Sequence, residues 1–217
     1  PLFVACYEGH VDAARLLLDG GAEVDRAEED GWTPLSTAKY KGHSSIVALL
    51  EEHIYPLHAA AKTGDVDAVA RFLDGGAEVD QADKDGRTPL YVACSTGHAD
   101  AAKLLLNKGA AVDRANQNGA TPLYVACQNG HIAAARLLLE NGAEVDRAKE
   151  NGWTPLLIAC WKGHVDAARL LLRRGADINR ANIEGTTPLA IAKRQQHYAV
   201  VALLKEFLAA SLPRPPP

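Results

Sequence analysis

The chain has 217 residues, a formal net charge of −4, 23% charged residues, 47% hydrophobic residues and only 6% aromatic residues. These values suit a folded protein whose core is made of small aliphatic side chains. No apolar run nears the roughly 20 residues that cross a bilayer, which excludes a membrane span. The mild acidity argues against nucleic acid as the main partner, because phosphate binding needs a clustered basic surface. The sequence opens Pro1-Leu2-Phe3 and holds no methionine, so it is expected to be trimmed or a fragment, with any upstream signal out of view.

In chain order, Pro1-Leu2 begins a segment that keeps returning. Thr-Pro-Leu stands at Thr33, Thr88, Thr121, Thr154 and Thr187, and the last four are 33 residues apart. The same frame puts Tyr55-Pro56-Leu57 another 33 residues before Thr88. Ala-Cys-x-x-Gly-His recurs at Ala5, Ala93, Ala126 and Ala159, and Gly-Ala-x-Val/Ile-Asp/Asn at Gly21, Gly76, Gly109, Gly142 and Gly175. In period and in most of a Thr-Pro-Leu-His-x-Ala motif, the chain resembles the ankyrin repeat over nearly its whole length. The resemblance implies an all-α solenoid of helix-turn-helix units joined by β-hairpin loops, seven units in all.

The residues explain such a unit. Thr before Pro supplies an N-cap oxygen, and Pro at the first helical position has a preset φ and lacks only a donor that would go unused. Leu156, Ala159 and Cys160 share a face at i, i+3, i+4 spacing. Gly9, Gly42, Gly64, Gly97, Gly130 and Gly163 suit left-handed C-caps. A second helix over Val165–Arg173 carries the Leu170-Leu171-Leu172 run, Gly175 closes it, and Ala176–Gly185 reads as a turn-rich hairpin. One helix pair cannot bury its own apolar face, so stacked neighbours complete the core.

One junction breaks the period. From Thr33 to its equivalent Tyr55 is 22 residues, eleven short of a repeat, which predicts a deleted hairpin between units two and three. Unit two has the marks of an array end: Ala38-Lys39 replaces Ala-Cys, and Glu51-Glu52 puts charge into a leucine column. The last unit repeats both, with Ala192-Lys193 and Lys205-Glu206. Terminal repeats need a polar outer face. Unit three has the marks of a start, with Asp65 in the histidine position and Arg71 in a leucine column. The expected organisation is the end of a first array (residues 1–53), a five-unit array (54–211) and a Pro-rich tail (212–217). A continuous solenoid with one shortened hairpin is the alternative.

Cys6, Cys94, Cys127 and Cys160 occupy one first-helix column. Neighbouring helices pack about 8–10 Å apart, beyond the roughly 7 Å Cα limit for a disulfide, so buried free thiols are expected. Six of the eight histidines (His10, His43, His98, His131, His164, His197) form a ladder that cannot converge on one metal ion; the family resemblance gives them a loop-bracing role. His58 alone fills the histidine slot of Thr-Pro-Leu-His. Asp25, Asp80, Asp113 and Asp146 recur at one hairpin position and read as turn chemistry. No nucleophile elbow, phosphate loop, dinucleotide fingerprint or His-Glu-x-x-His is present. The expectation is therefore no enzyme, no metal site and no cofactor.

Comparing units separates scaffold columns from free ones. The end of the first helix reads Tyr7, Tyr40, Lys62, Ser95, Gln128, Trp161, Arg194, and the next column Glu8, Lys41, Thr63, Thr96, Asn129, Lys162, Gln195. The position before Thr reads Trp32, Arg87, Ala120, Trp153, Thr186. The resemblance implies that these columns face out from the hairpin tips and the concave first-helix surface, where partners bind. All three tryptophans fall in them, and Trp and Tyr dominate interface hot spots. The candidate partner-binding residues are Trp32, Tyr40, Arg87, Gln128, Trp153, Trp161 and Lys162. Leu171 with Asp177-Ile178-Asn179 resembles the ankyrin site for asparaginyl hydroxylation, with Asn179 as the modified residue. Leu212-Pro213-Arg214-Pro215-Pro216-Pro217 favours polyproline II.

The expected function is an adaptor or scaffold that binds a protein partner, or alternatively the regulatory or targeting region of a larger enzyme, channel or signalling protein. A monomer in an intracellular compartment, cytoplasmic or nuclear, is expected from unbridged thiols and the lack of an Asn-x-Ser/Thr sequon.

Overall fold

The computed structural model describes residues 1–210, so the Pro-rich tail reading lies outside the described residues. Every regular element among them is a helix, fourteen in all. The chain divides into two compact units, Pro1–Ala59 and from Ala60 onward.

The first unit contains α1 (Leu2–Glu8), α2 (Val11–Asp19), α3 (Pro34–Lys41) and α4 (Ser44–Ile54), and α5 (Pro56–Thr63) begins in it. Its core is Leu2, Ala5, Cys6, Ala14, Leu18, Ala38, Ile46, Leu49 and Leu50, with Leu17, Leu35 and Val47 half-buried against it. Small Ala and Cys on the first helices let the helix pairs stack closely. The second unit continues with α6 (Val66–Asp74), α7 (Pro89–Thr96), α8 (Ala99–Asn107), α9 (Pro122–Asn129) and α10 (Ile132–Glu140). It closes with α11 (Pro155–Lys162), α12 (Val165–Arg173), α13 (Pro188–Arg194) and α14 (Tyr198–Ala210). First helices stack on first helices (α7, α9, α11, α13), and second helices on second helices (α6, α8, α10, α12, α14). Leu90, Leu105, Leu123, Leu138, Leu156, Leu171 and Ile191 are fully buried at these contacts.

The caps behave as the sequence predicts. Thr33, Thr88, Thr121, Thr154 and Thr187 each accept from the backbone N–H three residues on, and each precedes a Pro in the first turn. Asp65 holds the place of a histidine because it caps α6, accepting from Ala68 N–H at 2.9 Å. All four thiols are free and buried. Burial pushes them up, Cys6 to about 11 and Cys127 and Cys160 to about 12.

The loops differ from expectation in one respect. No strand forms among the described residues; each tip is a turn closed within five residues. In the Asp83–Arg87 turn, Asp83 N–H donates to Arg87 O and Gly86 N–H to Asp83 O, both at 2.9 Å. Asp83 Oδ1 then takes the N–H groups of Asp85 and Arg87. The side chain consumes the donor that a strand ladder would need.

Candidate partner-binding surface

Three first helices are held by a histidine ring from the next repeat. His43 Nε2 bonds Tyr7 O at 3.1 Å, His164 Nε2 bonds Gln128 O at 3.1 Å, and His197 Nε2 bonds Trp161 O at 2.9 Å. A carbonyl can only accept, so Nε2 carries the proton in each. The loop-bracing role implied for this column therefore holds for these three. Gly9, Gly64, Gly97, Gly130 and Gly163, which end five of the first helices, make room for a ring. Gly130 lies at φ +74°, and a Cβ there would sit 2.9 Å from His164 Nδ1.

A second tie was missed in the sequence. Asp80 accepts from Ala111 N–H, Asp113 from Glu144 N–H and Asp146 from Asp177 N–H, at 2.9–3.2 Å and 31 residues along the chain. These aspartates join one repeat's loop to the next instead of shaping their own turn. Their recurrence at one position in four repeats was the available signal.

On this frame stand the variable residues. In the second unit Trp153 ends a loop and Trp161 lies two helical turns beyond the Thr154 cap. Their rings meet edge to face with centroids 5.6 Å apart and planes at 74°. Trp161 is 37% exposed and Trp153 half-buried. Lys162 sets its ammonium 4.6 Å from the Trp161 ring centre, a cation–π contact that leaves the charge in solvent. In the first unit Trp32 and Tyr40 form the same edge-to-face pair at 5.3 Å, and Tyr40 is 75% exposed. Lys41 covers the Tyr7 ring at 3.8 Å, and its pKa is raised, mainly by a side-chain hydrogen bond with Tyr7.

The two tryptophan-bearing turns are also capped differently. Glu28 and Lys149 replace the Asp or Asn found at 83, 116 and 182. The capping oxygen moves two residues on, so that Asp30 and Asn151 accept from Trp32 and Trp153 N–H at 3.2 and 3.3 Å.

The remaining candidates are not all gathered. Gln128 is half-buried and its carbonyl is held by His164. Arg87 is engaged by its own turn, 2.7 Å from Asp83 Oδ2 and 3.0 Å from Asp85 Oδ2. Burial opposes Asp83 ionisation, but the N–H groups of Arg87 and Asp85 and the guanidinium outweigh it and hold the carboxyl below its usual range. Asn179 is exposed, and its N–H donates to Asp177 Oδ1 at 2.9 Å. A contact the sequence did not announce pairs Lys149 with the Tyr124 ring at 5.5 Å. Tyr124 is buried, which pushes its hydroxyl up to about 12. Among the described residues no three His, Cys, Asp or Glu side chains gather to hold a metal ion, and no helix is long and apolar enough to cross a membrane.

The family profile described as ankyrin repeats (3 copies) matches residues 1–56, 57–149, 109–182 and 145–211. The chain belongs to the ankyrin-repeat family. Ankyrin repeats generally mediate protein–protein interaction. The array is similar to short stretches of much longer proteins. It is 42% identical over 45 residues to the potassium channel AKT1 of Oryza sativa subsp. indica, covering 21% of this chain and 5% of that one. Identity is 35% over 54 residues with the Arabidopsis thaliana potassium channel AKT1, 25% of this chain and 6% of the channel. With the Homo sapiens transient receptor potential cation channel subfamily A member 1 it is 26% over 102 residues, 38% of this chain and 9% of the channel. The chain thus spans less than a tenth of these relatives' length.

Proposed function

We propose that this array docks a protein partner on its variable columns, along the hairpin tips and the concave first-helix surface. Trp153, Trp161 and Lys162 form the main contact, with Gln128 and Arg87 contributing from their own repeats; Trp32 and Tyr40 serve the first unit. The observation that carries this reading is the half-exposed Trp153–Trp161 pair, two large rings at positions that differ freely between repeats. Such rings bury much area at small entropy cost. Replacing both with Ala should abolish partner capture in a pull-down run beside wild type while the melting temperature barely moves. A large fall in melting temperature instead would assign the pair to packing.

The same reading takes the chain as a monomer of seven repeats, with an eleven-residue deletion between the second and third. The end of one array (1–53) is followed by a five-unit array (54–211) and the Pro-rich tail (212–217), all in an intracellular compartment and without catalysis of its own. The 22-residue spacing from Thr33 to Tyr55 and the charged endings at Glu51-Glu52 and Lys205-Glu206 support it. Asn179 is proposed for hydroxylation on the strength of the Leu171 and Asp177-Ile178-Asn179 pattern and its exposure. Intact mass after hydroxylase treatment tests that, and no added oxygen overturns it.

A second reading takes the array as the regulatory or targeting region of a larger protein, a channel among them. Its support is that the matched relatives are channels in which the matching stretch is a small fraction. Recovering the full open reading frame separates the two.

A further inference from the structure

The second helices of the longer unit carry a feature the variable columns do not. Between α10 and α12 lies a groove of about 420 Å³, a size common for ligand sites. Its floor is apolar, made by Ile132 and Leu170, and its walls carry Arg136, Arg169, Arg173 and Arg174 against a single carboxylate, Asp166. This positive cluster stands on a chain whose net charge is −4.

The cluster has a cause in the sequence. Helices α2, α6, α8 and α12 place an acid in the first turn (Asp12, Asp67, Asp100, Asp166). Helix α10 has Ala133 there and no acid in its first turn, so Arg136 lacks the carboxylate one turn before it. At the other end of the pair, α12 finishes on Arg173-Arg174, where α10 finishes on Glu140-Asn141. Arg174 pairs with Glu140 at 3.5 Å. Arg136, Arg169 and Arg173 make no ion pair among the described residues. Arg169 and Arg173 are also i, i+4 neighbours of like charge, an arrangement that costs helix stability unless an anion sits between them.

We propose that this groove docks an acidic peptide segment of a partner protein. Its carboxylates are held by Arg136, Arg169 and Arg173, and one apolar side chain rests on Ile132 and Leu170. Guanidinium forks match carboxylates in paired hydrogen bonds. A phosphate is the weaker fit, because it is polar throughout and would leave the aliphatic floor against water. The site lies on the second helices and does not depend on the tryptophan surface.

The test is fluorescence anisotropy with a labelled peptide carrying one Leu flanked by Glu pairs. Beside it run a peptide with Gln for every Glu and another with Ser for Leu. Wild type should bind the Glu–Leu peptide at least about tenfold more tightly than the Gln peptide, and the Ser peptide should fall between them. Arg136→Gln, Arg169→Gln and Arg173→Gln together should remove that preference. Arg180→Gln, an exposed loop arginine outside the groove, should leave it intact, and so should Trp153→Ala with Trp161→Ala. A triple change of the same arginines to Glu should reverse the preference toward a peptide with Lys for Glu, a gain that misfolding cannot produce. Equal binding of the Glu and Gln peptides, an unaffected triple Gln variant, or displacement by inorganic phosphate at the peptide's own concentration would each overturn the proposal.

Discussion

Gly130→Ala offers a sharp test of how the repeats are joined, because Gly142 provides its control in the same unit. Gly130 has φ +74° and Gly142 φ +85°, so both substitutions force Ala into the left-handed region, at about 1–2 kcal/mol. The surroundings differ. At Gly142 no atom lies within 4 Å of the added Cβ, whereas at Gly130 the Cβ falls 2.9 Å from His164 Nδ1 and 3.0 Å from Cε1. The ring must move, and its Nε2 bond to Gln128 O, now 3.1 Å, is lost, for about 1 kcal/mol more. Gly130→Ala should therefore cost about 2–3 kcal/mol and Gly142→Ala about 1–2 kcal/mol. Urea unfolding followed by circular dichroism and by tryptophan fluorescence reads the difference, and agreement of the two probes establishes that one transition is being measured. In a His164→Ala background the excess should vanish, leaving the two alanines equally costly. Equal penalties in the wild-type background, or an excess that survives removal of the ring, would refute the interlock.

Three further outcomes follow from the same structure. Leu138→Ala removes a side chain with 0% exposure and should cost about 2–5 kcal/mol in the same urea assay; a change below 1 kcal/mol on that scale would mean the second helices are not tightly stacked. Thr154→Ala deletes the oxygen that accepts Leu157 N–H at 3.1 Å and should cost about 1 kcal/mol, while Thr154→Ser restores most of it. The thiols set an alkaline limit. Their folded pKa values are raised, Cys160 to about 12 from 9.0, so the unfolded chain ionises first. Stability is then full below about pH 9 and falls as pH climbs toward 12, by up to ~1.4 kcal/mol per pH unit for each thiol. Urea midpoints at pH 8 and pH 10.5 should separate, and Cys127→Ala with Cys160→Ala should narrow the gap; an unchanged gap would place the effect on other groups.

Much of the scaffold was legible because a repeat repeats its reasons. A Thr before Pro, a Gly before His and a Cys after Ala each occur several times, so each local role could be checked within one chain. The Asp80, Asp113 and Asp146 ties were misread for the opposite reason. A side chain that bonds a residue 31 positions away looks, in sequence, like a turn former. Of the candidate surface, the columns that hold Trp153, Trp161, Trp32 and Tyr40 were visible in sequence, whereas their edge-to-face pairing is a property of the folded turns and helices. Arg87 looked available in its column, and its capture by Asp83 and Asp85 is a property of the turn's backbone. The arginine groove escaped notice because it is a departure from the period: an alanine where α2, α6, α8 and α12 have aspartate.

The histidine bonds from one repeat to the last also determine what can vary. Tyr7, Gln128 and Trp161 carry different side chains, yet each offers the same atom, its main-chain oxygen, to the following ring. Anchorage there is indifferent to the side chain, so recognition can be rewritten at these positions without renegotiating the architecture. The array behaves as a keyboard whose keys can be replaced individually because the frame grips only what every residue has in common.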